Sequence, residues 1–518
     1  MKPKKMAEFC IEFRSGVMYN NSINRYRGTT MIYIGNKREC FFDDFLIDQE
    51  KTTAEARLHH PVPCEVVLNC DKPWETRGIA YENFFYDAEI KKYRLYYLGR
   101  EALTDSLRGE QIRVCYAESE DGLYWEKPNL GICAFKGNKE TNIILDEKTA
   151  PFYDNFMVFK DENPACPPEK RYKGIGDYQH TLTCFTSADG LHFKVDNLIT
   201  ERGSFDSLNT AFYDKEIGKY RVYFRGLHAP GDLEGKSPFD QTPLMLPWQK
   251  KEQHIRDIRY IESDDFVNFF EQKRIRMTGE DVQIYTNNIQ PYPFAPHILV
   301  GFPTRYIYRQ QWSAAYDALC TQKDRIRVAK EHPRYGLALT DCVFMTSRDG
   351  VNFKRYNEAF MRPEAEYDGN WCYGDCYPAR GFILTDPEKK GDGVDQELSM
   401  LCHDRERYGG NLRLRRYTIR RDGFVSRHAG GEEKLLVTKP FVFEGERLTV
   451  NLSTSAFGYA IFKLETADGK LCTESVEYFG DATDKPITFR DPAVLFSGKE
   501  VILTVRLLDA DFYSFKFI

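Results

Sequence analysis

A chain of 518 residues is long enough for two or more domains. Its 72 Lys and Arg against 78 Asp and Glu leave a net charge of −6, which argues against a nucleic-acid binder with its basic face. Aromatic residues make up 14% of the chain, a richness that suits pleated strands and the stacking of rings on sugar C–H faces, and the 14 scattered cysteines form no zinc-type CxxC pair and read as reduced core residues.

The N-terminus "MKPKKMAEFCIEF" is basic but lacks a long apolar run, and no stretch approaches the roughly 18 apolar residues of a membrane span. The protein is therefore expected to be soluble and cytoplasmic, with residues 1–40 as an extension. Beyond it the chain repeats. "FFYDAEIKKYRLYYLGR" (84–100) and "AFYDKEIGKYRVYFRG" (211–226) each read as strand, Asp-led turn, strand. A third strand, as in "IRVCYAES", "TLTCFTS", "DIRYIES" and "CVFMTS", runs into a turn with the skeleton S-x-D-G-x-x-aromatic. Its copies are Ser119–Trp125, Ser187–Phe193, a degenerate Ser263–Phe269 and Ser347–Phe353, with a weaker fifth around Asp422. They recur about every 75 residues, the mark of a repeat architecture.

Four strands per repeat, five times, predicts a five-bladed β-propeller over residues 41–430. The strand-rich remainder, 431–518, predicts a small antiparallel β-sandwich, so the fold class is all-β. The aspartates of the recurring turn read as structural, accepting backbone N–H bonds while Gly supplies the positive φ. They lie on the face opposite the starts of the inner strands.

Those starts converge on a central funnel and carry the candidate chemistry. Blade 1 offers Trp74, Glu75 and Arg77, and blade 2 Tyr153, Asp154 and Asn155. Blade 3 offers Asp206 and Asn209, blade 4 Glu280, Asp281, Tyr285 and Asn287, and blade 5 Asp368, Trp371, Tyr373 and Asp375. Acids mixed with rings and amides suit a neutral polyhydroxylated ligand. Insertions at 227–254 and 306–336 fall on the same face, with Trp248, Trp312, Tyr308 and His228 placed to line or cover a pocket.

The turns and five blades resemble glycoside hydrolase families 32 and 43. "FFDDFLID", "YAESEDGLYWEKPNLG", "RRDGFVS", "LLVTKPFVFEGERLTVNLS" and "LLDADFYSFKF" further resemble a set of uncharacterised bacterial glycosyl hydrolase-like proteins, over roughly residues 40–518. The resemblance implies a glycosidase acting on a glycan or oligosaccharide, furanosides included. The family 32 motifs do not stand at matching blade positions. Glu75, Asp154 and Asp206 occupy inner-strand starts comparable to the two Asp and one Glu of family 43, with Glu75 as the acid. Glycoside cleavage needs two such carboxyl groups, one protonated and one ionised. Trp74, Arg77, Tyr153, Asp281, Tyr285, Asn287, Asp368 and Trp371 are the expected sugar contacts. Asp43 and Asp44 either reach the funnel on a ring-closing N-terminal strand or cap the blade-5 seam. No cofactor is expected, a structural cation at the propeller axis being the one metal considered. Carbohydrate is the expected partner, without nucleic acid or membrane. An inverting glycoside phosphorylase, with Arg77, Arg305 and His228 for phosphate, and a non-catalytic carbohydrate-binding propeller are the alternatives.

Overall fold

The computed structural model describes residues 23–26, 29–107, 109–148, 153–232, 254–384, 397–404 and 412–518. The repeat folds as five antiparallel sheets. Blade 1 comprises Ile79–Asp87, Lys92–Ala102, Glu110–Ser119 and Ile143–Leu145, in that order from the axis outward. Blade 2 runs from Tyr153–Lys160 to Lys194–Thr200, and blade 3 from Thr210–Asp214 to Lys273–Arg274. Blade 4 is built on Gln290–Tyr292, Ala295–Gly301, Ala338–Ser347 and Asn352–Met361. Blade 5 takes Ile383–Leu384, Glu397–Asp404 and Arg413–Arg420 from its own repeat and borrows its outermost strand, Val62–Asn69, from the other end of the chain.

That borrowed strand closes the ring, so Asp43 and Asp44 do not. Asp43 instead pairs with Arg348 of blade 4, and Asp44 with Lys354 and Arg427. The described strands before residue 62 belong to the C-terminal sheet. Thr29–Gly35 lies parallel to Phe441–Phe443, Glu39–Cys40 pairs with the last strand, and Glu55–Leu58 pairs with Val425–Ala429. The axis of this sandwich-like sheet is the long hairpin of Leu448–Thr466 and Glu500–Phe517, whose alternating apolar residues face one core with Phe41, Leu46, Ile47 and Ala54. The boundaries read from the repeat, at 41 and 430, therefore divide a sheet that both chain ends build together.

The recurring turn has the expected internal geometry and a second use. In the first copy Asp121 Oδ1 accepts the N–H groups of Leu123 and Tyr124, and Ser119 Oγ accepts that of Gly122, whose φ is 76°. The second and fourth copies repeat this and also dock on the preceding blade. Arg94 donates to Asp189 O at 2.7 Å and Tyr96 to Gly190 O at 3.0 Å. Arg221 and Tyr223 make the same bonds to Asp349 and Gly350, at 2.7 and 2.9 Å. The two sequence signatures, Y-R-x-Y and S-x-D-G, are thus the halves of one inter-blade joint. A Cβ on Gly190 would lie 2.6 Å from Arg94 Nη1, so the glycine serves close approach as well as φ. In the third copy Phe266 holds φ 61° in place of Gly and is fully buried between blades.

The fifth copy is a different device. Asp422 itself takes the positive φ, 58°, and its buried carboxylate accepts from Tyr292 of blade 4 at 2.7 Å and from Arg38 and Ser514 of the C-terminal sheet at 2.9 and 2.6 Å. It clasps the sheet to the propeller.

Near the axis, side-chain amides join one inner strand to the next. Asn83 donates to Phe156 O and accepts from Val158 N, and Asn209 donates to Asn155 Oδ1 at 2.6 Å. Thr210 donates to Asn287 Oδ1, Asn288 to Pro378 O, and Arg380 exchanges backbone bonds with Glu82 and Phe84 to return to blade 1. Asn83→Ala would orphan buried backbone groups on two blades. It is expected to cost about 2–3 kcal/mol or more in denaturant unfolding, whereas substitution of exposed Glu120 is expected to cost nothing measurable.

Candidate active site

Two inner-strand distortions aim side chains at the axis. The register of blade 1 shifts between Ala80 and Asn83, where Tyr81 holds φ 54°, and that of blade 2 shifts between Asp154 and Phe156, where Asn155 holds φ 45°. Bulges of this kind redirect side chains next to functional sites. Here they turn Tyr81 and Asp154 into a hollow of about 370 Å³ that also receives Asp206, Tyr285, Tyr373 and Tyr377. Arg100, Glu110 and Leu98 line it from blade 1, and Arg334 and Tyr335 from the blade-4 insertion.

Asp206 comes from the loop ahead of blade 3. The Arg225 guanidinium binds its Oδ1, and Ser204 donates to the same oxygen at 3.0 Å. Asp154 has no such cation. Burial and the neighbouring Asp206 charge push its carboxyl up to about 6, only partly opposed by the Asn155 N–H that it accepts at 2.8 Å. One carboxyl is thus held neutral up to mild acidity while its neighbour carries an arginine. Arg100 and Glu110 form a bidentate pair at 2.9 and 3.1 Å, so each largely cancels the other's charge.

The wall opposite is aromatic. Tyr373 donates to Tyr285 Oη at 2.7 Å, Tyr335 stacks on Tyr373 with an interplanar angle of 16°, and Tyr377 packs on Tyr285. Arg334 lies over the rings of Tyr335 and Tyr373, at 5.1 and 5.5 Å from their centroids. The insertion that carries it includes the helices Gln322–Glu331 and Pro333–Leu337. It is pinned at both ends of its reach: Arg325 donates to Trp371 O, and Glu331 accepts from Ser106 and from Leu107 N of the blade-1 loop.

Of the residues expected at the site, Asp154, Asp206, Tyr285 and Tyr373 meet in the hollow. Glu75 does not line it. It is buried under blade 1, bonded to Lys127 at 2.6 Å and to Tyr97 at 2.7 Å. Trp74 packs on Phe135 in the blade-1 core and donates to Asn142. Arg77 donates to Thr104 O and stands behind Glu110. Asn287 belongs to the inter-blade amide ring, Asp281 binds His228 at 3.1 Å, and Trp371 is held by Glu364 O. Asp368 is exposed, and the side chain of Tyr153 lies outside the described residues, as does Trp248. Of the remaining insertion residues, Trp312 is partly exposed and donates to Asp317, while His228 is buried between Asp257 and Asp281. Arg305, named for phosphate, is paired with Asp341.

Tyr81, Arg100, Glu110, Arg225, Arg334, Tyr335 and Tyr377 went unnoticed in the sequence. A signal existed for one of them. Aligning "YRLYYLGR" with "YRVYFRG" on their shared glycine places Leu98, which lines the hollow, opposite Arg225, which binds the lining residues Asp206 and Tyr285. A larger hollow of about 550 Å³ lies by the recurring turns of the other face. Its charged groups neutralise one another in the pairs Lys37–Glu216, Arg221–Asp214 and Arg348–Asp43, and it holds none of the candidate acids. Among the described residues no cluster of three or more His, Cys, Asp or Glu is placed to hold a metal ion, and no helix is long and apolar enough to cross a membrane.

No family model and no curated protein matches the chain. Solved structures do. It is similar to a glycoside hydrolase family 43 arabinoxylan arabinofuranohydrolase from Bacillus subtilis in complex with cellotetraose, at 11% identity over 88% of this chain and 99% of that one, with a TM-score of 0.39. It is similar to a glycosyl hydrolase from Bacteroides ovatus, at 12% identity over 74% and 99%, with a TM-score of 0.40. A third is an α-L-arabinanase from Penicillium chrysogenum complexed with arabinobiose, at 7% identity over 70% and 99%, with a TM-score of 0.37. Likeness at that level carries no chemistry, which has to be argued from the hollow itself.

The raised carboxyl has a consequence for stability. Asp154 titrates near 6 when folded and near 3.9 when unfolded, so the fold binds its proton more tightly and loses stability as pH rises through that window. Asp154→Asn is expected to raise Tm above the window, at about pH 8, and to leave it unchanged at about pH 2.5, where the native residue is protonated in both states. An equal Tm difference at both values would show that Asp154 is not held neutral.

Proposed function

We propose that the protein is a glycoside hydrolase whose reaction takes place in this hollow. The observation that carries the reading is the meeting of Asp154 and Asp206 from adjacent blades inside one tyrosine-lined cavity, with opposite electrostatic settings. A carboxyl that keeps its proton to about pH 6 is suited to protonate a departing glycosidic oxygen. A carboxylate close by stabilises the positive charge that develops at the anomeric carbon. The tyrosine rings offer faces to sugar C–H groups and hydroxyls to sugar oxygens, in a volume within the range of small-ligand sites. Asp154 takes the acid role that the sequence suggested for Glu75, because Glu75 is consumed by its bonds to Lys127 and Tyr97.

The test is a screen of aryl furanosides and pyranosides with wild type, Asp154→Asn and Asp206→Asn. Each variant is expected to lose about 10²- to 10⁴-fold in kcat/KM on any substrate the wild type cleaves. The Asp154→Asn loss should be smallest for substrates whose leaving groups need no proton. Full activity in both variants would refute the reading. The screen is run with and without inorganic phosphate, because Arg334 in the wall favours phosphorolysis. Carbohydrate binding without product would assign the protein to a binding role.

A further inference from the structure

Five tyrosines line the hollow, and one of them is set apart by its surroundings. Tyr285 is fixed by its main chain: its N–H donates to Thr304 O at 2.7 Å, and its carbonyl accepts the Ser207 hydroxyl at 2.5 Å. Its phenol oxygen accepts from Tyr373. The Arg225 guanidinium lies 4.9 Å from the ring centroid and that of Arg256 lies 5.9 Å away. Two cations beside the ring and a donor on the oxygen all favour the phenolate over the phenol.

Electrostatics agree with the geometry. Burial pushes the Tyr285 phenol up, and the Asp206 charge does the same, yet Arg225, Arg334 and the Tyr373 hydrogen bond outweigh both and bring it below its ordinary value. Tyr81, in the same hollow, moves the other way through burial and the neighbouring Tyr285 and Asp154. A carboxyl kept protonated and a phenol made easier to ionise, facing one cavity, form an acid and base pair with inverted roles. Asp206 Oδ1 is shared by Arg225 and Ser204, which ties that carboxylate to Arg225.

We propose that Tyr285 is a third catalytic residue, the nucleophile of a retaining glycosidase. The inference rests on the glycosidase reading and deepens it. In the first step the ionised Tyr285 oxygen, whose proton has already passed to solvent, bonds to the anomeric carbon as the glycosidic C–O bond breaks. The bonding pair leaves with the aglycone oxygen, which takes the Asp154 proton. In the second step water attacks the same carbon, Asp154 takes the water's proton, and the aryl C–O–sugar link breaks with its pair returning to the Tyr285 oxygen. Asp206 holds Arg225 against the ring and faces the charge on the sugar. Tyrosine is an established covalent nucleophile toward anomeric carbon in other glycosidases.

Three measurements decide it. A pH titration of ultraviolet tyrosinate absorbance, taken as wild type minus Tyr285→Phe, is expected to show one tyrosinate forming below the ordinary value of about 10. Tyr373→Phe, which removes the donor, is expected to move that transition upward. Trapping with a panel of aryl 2-deoxy-2-fluoroglycosides, followed by peptide mass mapping, is expected to place the sugar on Tyr285. Tyr285→Phe, its fold checked by circular dichroism, should lose about a thousandfold or more in kcat. A label on Asp206, a product of inverted configuration or the absence of the early tyrosinate overturns the inference while leaving the glycosidase reading intact. A wild type that turns over no glycoside overturns that reading and this one with it.

Discussion

Five inner strands converge on one axis, where they are too splayed to pair as a continuous sheet and too crowded to keep water on every amide. Buried backbone groups in that position need partners from side chains. Asparagines supply them, because one amide both donates and accepts and can bridge two blades at once. Asn83, Asn155, Asn209, Asn287 and Asn288 carry this out in turn, and Arg380 returns the circuit to blade 1 through its main chain. The hollow depends on this ring. Asp154 precedes Asn155 and Asp206 precedes Asn209 by a few residues, so the amides that tie the blades also fix where the carboxyl groups stand.

Arg225 is the point where packing becomes chemistry. It leaves blade 3 near the shared glycine of the repeat, neutralises Asp206 and lies against Tyr285. With that charge spent on Asp206, the Asn155 N–H and the Arg100 charge only partly oppose burial and the Asp206 carboxylate at Asp154, whose carboxyl stays pushed up to about 6. The same guanidinium makes the neighbouring phenol more acidic. One buried cation thus both pairs with Asp206 and favours ionisation of Tyr285, with Arg334 and the Tyr373 hydrogen bond adding to the second effect.

The architecture was legible in the sequence because it is written in short-range pattern. Strand alternation, the S-x-D-G turn and its spacing each report local geometry, and all survive in the fold. Asp154, Asp206, Tyr285 and Tyr373 follow from the same logic, since an inner-strand start has a defined place. Glu75 and Trp74 misled because the residues that absorb them, Lys127 and Asn142, lie more than fifty positions away and belong to another strand of blade 1 or to its outer loop. Tyr81 was missed because a bulge, which strand periodicity does not announce, turns it toward the axis. Asp422 looked like a fifth turn until Arg38 and Ser514, from the two ends of the chain, were seen to converge on it.

The borrowed outer strand of blade 5 bears on how the protein is made. Val62–Asn69 emerges from the ribosome early, yet its neighbour, Arg413–Arg420, is synthesised about 350 residues later. Thr29–Gly35 and Glu39–Cys40 wait longer still, for Phe441–Phe443 and for the last strand of all. The nascent polypeptide therefore carries β-forming segments with open edges while the residues between the partners are made, when intermolecular pairing competes with ring closure. Truncating the C-terminus would strand both ends together, so the toroid and its appended sheet must reach maturity as one cooperative body.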